Sequence, residues 1–157
     1  MKVLNDYLEE ILLAVLLSGM TLLIGIQVFM RYFLNDSLTW SEELARYFFI
    51  WATYIGVAAG FKHSVHIRVD FLITKLSQNY QRYVNILVYL IVIVFAYIVI
   101  VEGYTLVERI LKFNQRSSSL GISMAYVYMA PLVGFGLSVI RLLQAIYGEV
   151  KAIKRVG

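Results

Sequence analysis

The chain has 157 residues, of which 61% are hydrophobic and 15% charged, and its formal net charge is +4. A soluble domain carries about 25% charged residues, so this composition excludes a soluble globular enzyme and predicts a protein embedded in lipid. The absence of cysteine excludes disulfide scaffolds, thiolate metal sites and cysteine nucleophiles, and the scattered basic residues do not indicate nucleic-acid binding.

Four apolar stretches of the sequence are long enough to cross about 30 Å of hydrocarbon as helices. The second is the shortest, and the long stems of Arg46 and Lys62 extend it by reaching the interface. None of the stretches alternates polar and apolar residues, as the strands of a membrane β-barrel would. The acidic residues before the first stretch do not suit a cleaved signal peptide, so we expect that stretch to remain in the mature protein. We therefore predict four transmembrane helices, at about 9–31, 43–62, 82–103 and 120–141.

The segments between these spans carry signals of their own. Glu42 and Arg46 stand four residues apart, in the order that favours an ion pair on a helix. Residues 69–77 combine apolar and charged side chains, which predicts a short interfacial amphipathic helix. The third helix has no stop signal before residue 113, so it is expected to run from about 79 to 113 and to be longer than the bilayer is thick.

The basic residues predict which side of the membrane each connection faces. Nine Lys and Arg residues lie in the two tails and the second connection, and five lie in the first and third connections. Because cytoplasmic flanks carry the excess of basic residues, we expect both termini in the cytoplasm. The sequence thus predicts an all-α integral membrane protein with four transmembrane helices and short interfacial amphipathic helices, forming a single domain over residues 1–157.

Ionisable side chains are absent from the uncharged runs at the centres of the four spans. Because such side chains mark ion paths, proton relays and substrate sites in membranes, the chain is not expected to carry a transport site of its own. The two histidines, His63 and His66, have only Asp70 as a nearby carboxylate, which does not predict a metal site. Glu42 and Glu43 point about 100° apart on a helix and cannot share one substrate, so we do not expect an enzyme.

Small residues recur at every fourth position on two of the predicted helices. They are Ala52, Gly56 and Gly60 on the second helix, and Ala130, Gly134 and Ser138 on the fourth. Such faces let helix backbones approach closely, and close packing drives helix association in lipid. They serve either the packing of the four helices within this chain or the contact with another subunit.

Several blocks of the sequence resemble the small membrane subunit of tripartite ATP-independent periplasmic (TRAP) transporters, the DctQ-like family. The blocks are QVFMRY at 27–32, SLTWSEELARY at 37–47, FIW at 49–51, Gly56, Lys62, HIRVDF at 66–71 and GISMAYVYMAPLVGFGLSVIRLL at 121–143. Each block alone is a weak signal, but the blocks of the first stretch, from Gln27 to Asp70, are fairly specific in combination. The resemblance covers nearly the whole chain.

The resemblance implies a division of labour between subunits. In that family the small subunit pairs with a large membrane subunit, and a periplasmic binding protein delivers an organic acid, such as sialic acid or a C4-dicarboxylate, to the pair. Uptake is driven by a sodium gradient, and the large subunit carries the substrate and sodium sites, so no cofactor, metal or substrate site is expected in this chain. The chain is expected to scaffold the large subunit, to help dock the binding protein, and to lie as a multi-pass protein in the bacterial inner (cytoplasmic) membrane. Because it ends at Gly157, we expect the large subunit to be a separate chain.

The resemblance also assigns signature residues. On the outer side they are Gln27, Arg31, Tyr32, Ser37, Trp40, Glu42, Glu43 and Arg46, and on the cytoplasmic side they are Lys62, His66 and Asp70. We expect Arg31 to pair with Glu42 or Glu43 and so to fix the first connection at the interface. The docking surface is expected to include the first and third connections, around Asp36 and Glu108.

Two other functions stay open on the sequence. One is a four-helix membrane anchor subunit of a respiratory or redox complex, whose cofactor ligands would come from elsewhere. The other is an autonomous small transporter. A haem spectrum of the purified complex would identify the first, and transport by this chain alone would identify the second.

Overall fold

A computed structural model describes residues 2–63 and 78–153 of the chain. The described residues form four helices, which are α1 (Lys2–Phe33), α2 (Thr39–His63), α3 (Gln78–Lys112) and α4 (Ala125–Ile153). Each helix is long and apolar enough to cross a membrane, which confirms the prediction of an all-helical chain with four candidate spans. The interfacial helix predicted at 69–77 lies outside the described residues, and the orientation of the termini stays a prediction.

The predicted bounds agree with the structure for α3 but not for the start of α4. With 35 residues, α3 is about 52 Å long, so it exceeds the thickness of the bilayer as predicted. The fourth helix, in contrast, was expected from residue 120 but begins only at Ala125 and continues to Ile153. The predicted start was too early because it was taken from the start of an uncharged run, and uncharged residues need not be helical. Three serines and Gly121 open the uncharged run, and they belong to the third connection, residues 113–124.

The third connection folds back on itself. Two backbone hydrogen bonds join its arms, from Ser117 N to Ile122 O at 2.8 Å and from Met124 N to Gln115 O at 3.0 Å. Gly121 has a φ of 66°, in the left-handed region that residues with a Cβ rarely adopt, and it allows the chain to turn. The connection therefore has a defined shape that its own backbone maintains.

The four helices pack as a row in the order α1, α2, α4, α3. In their most apolar stretches, α2 and α4 have 33% and 28% of their residues buried, whereas α1 and α3 have 0% and 11%. The two middle helices are more buried because each of them packs against two neighbours, whereas each outer helix packs against one. The two outer helices leave most of their apolar surface facing outward, where only lipid or another membrane protein can cover it.

Aromatic rings and one glycine join the centre of the row. The ring of Phe135 on α4 has its centroid 6.2 Å from that of Tyr54 on α2 and 5.7 Å from that of Phe95 on α3. The neighbouring Gly134 is buried, and a Cβ built on it would lie 2.5 Å from the carbonyl oxygen of Tyr54. The backbones of α2 and α4 can therefore approach this closely because the residue at position 134 has no side chain.

Polar contacts show which connections lie at the same end of the row. A side chain near the start of α2 bonds the third connection, so the first connection (residues 34–38) and the third connection share one end, here called the hairpin end. Charged residues near the start of α1, the end of α2 and the second half of α4 contact one another at the opposite end, here called the terminal end. The two ends carry different polar clusters.

Candidate functional site

Three of the predicted outer-side residues meet at the hairpin end, where α1 ends and α2 begins. Gln27 donates a hydrogen bond from Nε2 to Glu42 Oε2 at 3.1 Å, and Arg46 Nη2 lies 3.6 Å from Glu42 Oε1. The predicted ion pair between Glu42 and Arg46 is confirmed. Its side chains are 60% and 65% exposed, so it contributes at most about 1 kcal/mol to stability. The contact with Gln27 is the one that links α2 to α1.

Glu43, the next residue, attaches the third connection to the start of α2. Its Oε2 accepts hydrogen bonds from the backbone N–H groups of Ser119 at 2.7 Å and Leu120 at 3.0 Å. Its Oε1 accepts a hydrogen bond from the hydroxyl of Tyr47. The residue is buried, so its carboxylate must be satisfied by these donors rather than by water. One side chain thus holds a connection that lies more than 70 positions away in the sequence.

The expected ion pair of Arg31 with Glu42 or Glu43 is wrong. Within the described part of the chain, Arg31 makes no ion pair with either residue. The reason is the geometry of α2, on which Glu42 faces Arg46 one turn further along. Glu43 points about 100° away from Glu42 and reaches the third connection instead. Arg31 is exposed, as are the other predicted residues Tyr32, Ser37 and Trp40.

Four charged side chains from three helices form a network at the terminal end. Arg141 Nε and Nη2 both lie 2.6 Å from Glu9 Oε1, and Lys62 Nζ lies 3.3 Å from Glu9 Oε2. The same ammonium group contacts both oxygens of Glu10, at 2.9 and 3.0 Å. Glu9 is fully buried, and the two acids balance the two bases. This terminal-end network, Glu9, Glu10, Lys62 and Arg141, links α1 to both α2 and α4.

Of this network, only Lys62 was predicted from the sequence as a site residue. The other predicted cytoplasmic residues, His66 and Asp70, lie outside the described residues. Glu9 and Arg141 are 132 positions apart, so no local pattern connects them. A signal was nevertheless present, because Arg141 borders one uncharged run and Glu9 lies beside Glu10, which borders another at the same predicted side of the membrane. Charges of balanced sign at one membrane face can pair across helices.

The small-residue faces predicted on α2 and α4 lie mostly at contacts within the chain. Their buried members are Ala52, Ala130, Gly134 and Ser138. A Cβ on Gly56 would lie 3.9 Å from Leu13 of α1, whereas one on Gly60 would have no neighbour within 4 Å. The face on α4 therefore packs against α2. For Gly60, packing within the chain and contact with another subunit both stay open as predictions.

A groove of about 1020 Å³ opens at the hairpin end between α2, α4 and the third connection. Its rim carries polar and charged side chains, including Arg46, Arg116 and Ser118. Further along the helices its lining is apolar, with Phe49 and Val127 among the residues. Chemically, the rim is suited to charged groups of a partner, and the deeper part is suited to apolar groups.

Residues 20–152 match the family described as tripartite ATP-independent periplasmic transporters, DctQ component. The chain is 30% identical to the sialic acid TRAP transporter small permease protein SiaQ of Vibrio cholerae over 156 aligned residues. The aligned residues cover 99% of this chain and 88% of that protein.

Two further relatives match over different lengths. The isethionate TRAP transporter permease protein DctMQ of Oleidesulfovibrio alaskensis is 32% identical over 145 residues, which cover 87% of this chain. The chain spans only 23% of the length of that relative. The C4-dicarboxylate TRAP transporter small permease protein DctQ of Vibrio cholerae is 41% identical over 69 residues, which cover 44% of this chain and 30% of that protein.

Proposed function

Because this chain belongs to the family of DctQ components of TRAP transporters, we propose that it scaffolds a large permease subunit and helps to dock a substrate-binding protein during organic-acid uptake. The observation that carries the proposal is the similarity to a small permease protein along 99% of the chain. The four apolar helices agree with a multi-pass protein, and the family implies that its membrane is the bacterial inner membrane.

The exposed outer helices support the scaffolding role. In their most apolar stretches, α1 and α3 have 0% and 11% of their residues buried, so each presents a long apolar face that a partner could cover. The relative DctMQ supports a large partner. This chain matches only 23% of the length of DctMQ, so the rest of that protein is long enough to include a large permease subunit. We therefore place the large permease subunit beside this chain in the membrane.

We assign substrate choice and sodium coupling to the other subunits. The three relatives are named for three different substrates, sialic acid, isethionate and C4-dicarboxylate, although each resembles this chain. All three substrates are organic acids, which sets the proposed substrate class. The charged residues of the terminal-end network are paired with one another, which suits a structural role better than an ion-transport role.

The proposed function is tested by co-purification and by transport. We expect the chain to co-purify with a large permease subunit encoded beside it. Proteoliposomes containing both, supplied with the substrate-binding protein and a sodium gradient, should take up at least one of labelled sialic acid, C4-dicarboxylate or isethionate. Omitting this chain, the binding protein or the gradient should each abolish uptake.

Other results would contradict the proposal. Uptake by this chain alone would identify an autonomous transporter. A purified complex with the visible absorption of haem would identify a membrane anchor of a redox complex, whereas a transporter should have no such band. Failure to co-purify with any large hydrophobic subunit would also contradict the scaffolding role.

The orientation of the chain gives a separate prediction, and the absence of cysteine makes it easy to measure. Ser118→Cys lies at an exposed position of the third connection, and Gly148→Cys lies at an exposed position of α4 where a Cβ would meet no atom within 4 Å. With both termini in the cytoplasm, a membrane-impermeant maleimide should label the Ser118→Cys variant in spheroplasts. It should label the Gly148→Cys variant only after lysis, and the reverse pattern would invert the proposed topology.

A further inference from the structure

The third connection is held in a fixed position at the hairpin end. Its arms are joined to each other by backbone hydrogen bonds, and Glu43 accepts two more from Ser119 and Leu120 at 2.7 and 3.0 Å. Because Glu43 belongs to the first turns of α2, the connection is fixed to the helix row and not only to the ends of α3 and α4. Its exposed side chains therefore project from a defined surface.

The exposed charge at this end has a small positive excess, and its cations include both arginines of the groove. Five exposed cations lie there, namely Arg31, Arg46, Arg109, Lys112 and Arg116. The exposed anions near the same end are Asp36, Glu42, Glu102 and Glu108, and the carboxylate of Glu43 is buried beneath the third connection. The surface that remains available to a partner thus has more positive than negative groups, which favours contact with an acidic surface.

Two of these cations lie on the rim of the same groove. Arg46 belongs to α2 and Arg116 to the third connection, so two different parts of the chain contribute cations to the groove. The side chain of Arg46 is 65% exposed and its distance to Glu42 is 3.6 Å, which leaves its other N–H groups available. Arg116 is exposed, and Nη1 donates only a long hydrogen bond, of 3.4 Å, to Gly121 O.

The side chains around Arg116 favour a soluble protein over the bilayer surface as the partner. Asn114, Gln115, Ser118 and Ser119 are all exposed and polar. A segment that lies on a membrane surface combines its cations with large apolar anchors on one face. Phe113 and Ile122, near the two ends of the connection, are exposed, but the residues that directly flank Arg116 carry no exposed apolar side chain, so its guanidinium lies in a polar setting suited to groups presented from water.

We propose that the rim formed by Arg46 and Arg116 is a docking site for carboxylate groups on the acidic face of a soluble partner protein. Glu43 is a positioning residue, because it holds the third connection and thereby keeps Arg116 at the same groove as Arg46. This inference rests on the proposed function, under which the soluble partner is the substrate-binding protein. The rim would orient that protein by charge before it releases substrate to the large subunit.

The test uses the complete complex in proteoliposomes of uncharged phosphatidylcholine, with the binding protein titrated at low ionic strength. Arg116→Glu should raise the half-saturating concentration of binding protein about tenfold, because it places like charges opposite each other. The maximal rate and the co-purification with the large subunit should not change. The effect should shrink as salt is raised, since exposed charges are screened, and Arg116→Lys should restore most of the affinity.

Two matched variants complete the design. Lys151→Glu makes the same change of charge at an exposed position of the terminal end and should leave the half-saturating concentration unchanged. Glu43→Ala should raise the half-saturating concentration without altering any exposed charge. Glu43→Gln, which keeps a side-chain oxygen to accept a hydrogen bond, should recover part of that loss. This partial rescue distinguishes positioning from general damage to the fold.

Several results would overturn the inference. An unchanged half-saturating concentration for Arg116→Glu would remove Arg116 from the docking site. A fall in the maximal rate or in co-purification would place Arg116 against the large subunit, and an effect that appears only with anionic lipid would place it against the membrane. In each of these cases the wild-type complex still assembles and transports, so the proposed function is unaffected. A wild-type complex that neither assembles nor transports would instead contradict the proposed function itself.

Discussion

Replacing Glu9 by alanine is expected to lower the free energy of unfolding by about 3–5 kcal/mol, the range typical of removing one partner from a buried ion pair. Glu9 is fully buried and contacts both Arg141, at 2.6 Å, and Lys62, at 3.3 Å. Without its carboxylate, the guanidinium of Arg141 would keep its burial and lose a strong acceptor. The loss should be felt most in α1, because Glu9 links this helix to both α2 and α4.

The measurement is the free energy of unfolding of the purified chain in mixed detergent micelles. Glu10→Gln is the matched control, because it neutralises the neighbouring carboxylate of the same network. The side chain of Glu10 is 33% exposed and contacts Lys62, so its loss should cost about 1 kcal/mol or less. The double variant Glu9→Gln with Arg141→Gln should be more stable than the sum of its single changes implies, since it removes both charges together. Equal effects of Glu9→Ala and Glu10→Gln would contradict the assignment of Glu9 as the centre of the network.

Gly134→Ala is expected to destabilise the protein by about 1–3 kcal/mol, although a single methyl group is added. The new Cβ would lie 2.5 Å from the carbonyl oxygen of Tyr54, 2.7 Å from its Cβ and 2.8 Å from its carbonyl carbon. Two of these three atoms belong to the backbone of α2, so no side-chain rotation can relieve the overlap. The two middle helices of the row would have to separate, which would also disturb the ring contacts of Phe135.

Gly136→Ala provides the matched control for this prediction. It lies on the same helix two residues further on, and a Cβ there would meet no atom within 4 Å. Because alanine favours helix more than glycine by about 1 kcal/mol, this variant should be as stable as the wild type or slightly more stable. The measurement is thermal unfolding of both variants and the wild type in the same detergent, which compares their stabilities. A loss of stability common to both would show that close approach at Gly134 does not limit the packing.

The features that the sequence predicted correctly are local ones. Four long apolar stretches are sufficient to identify four helices, and the length of α3 follows because no stop signal interrupts it before the third connection. The ion pair between Glu42 and Arg46 was predictable for the same reason, since positions four apart meet on any helix. The start of α4 was missed because absence of charge also describes the serines and glycine of a connection.

The contacts that the sequence missed join distant parts of the chain. Glu43 looked like a neighbour of Glu42 with a similar role, yet its acceptor oxygens serve Ser119 and Leu120, which become its neighbours only after α3 and α4 have packed. The expected partner of Arg31 was wrong for a related reason. The sequence shows which carboxylates are available to Arg31, but the direction of each side chain depends on the tertiary structure.

The sequence by itself determined that this protein is a helical membrane protein of the DctQ family, because composition, span length and the family blocks are properties of single segments. Only the tertiary structure decided the order of the helices in the row, the fixation of the third connection by Glu43 and the burial of Glu9 between Arg141 and Lys62. These depend on which faces of the helices meet. In an apolar helix many faces are almost equally hydrophobic, so the choice is made by shape at positions such as Gly134 and by the few charges that must find partners.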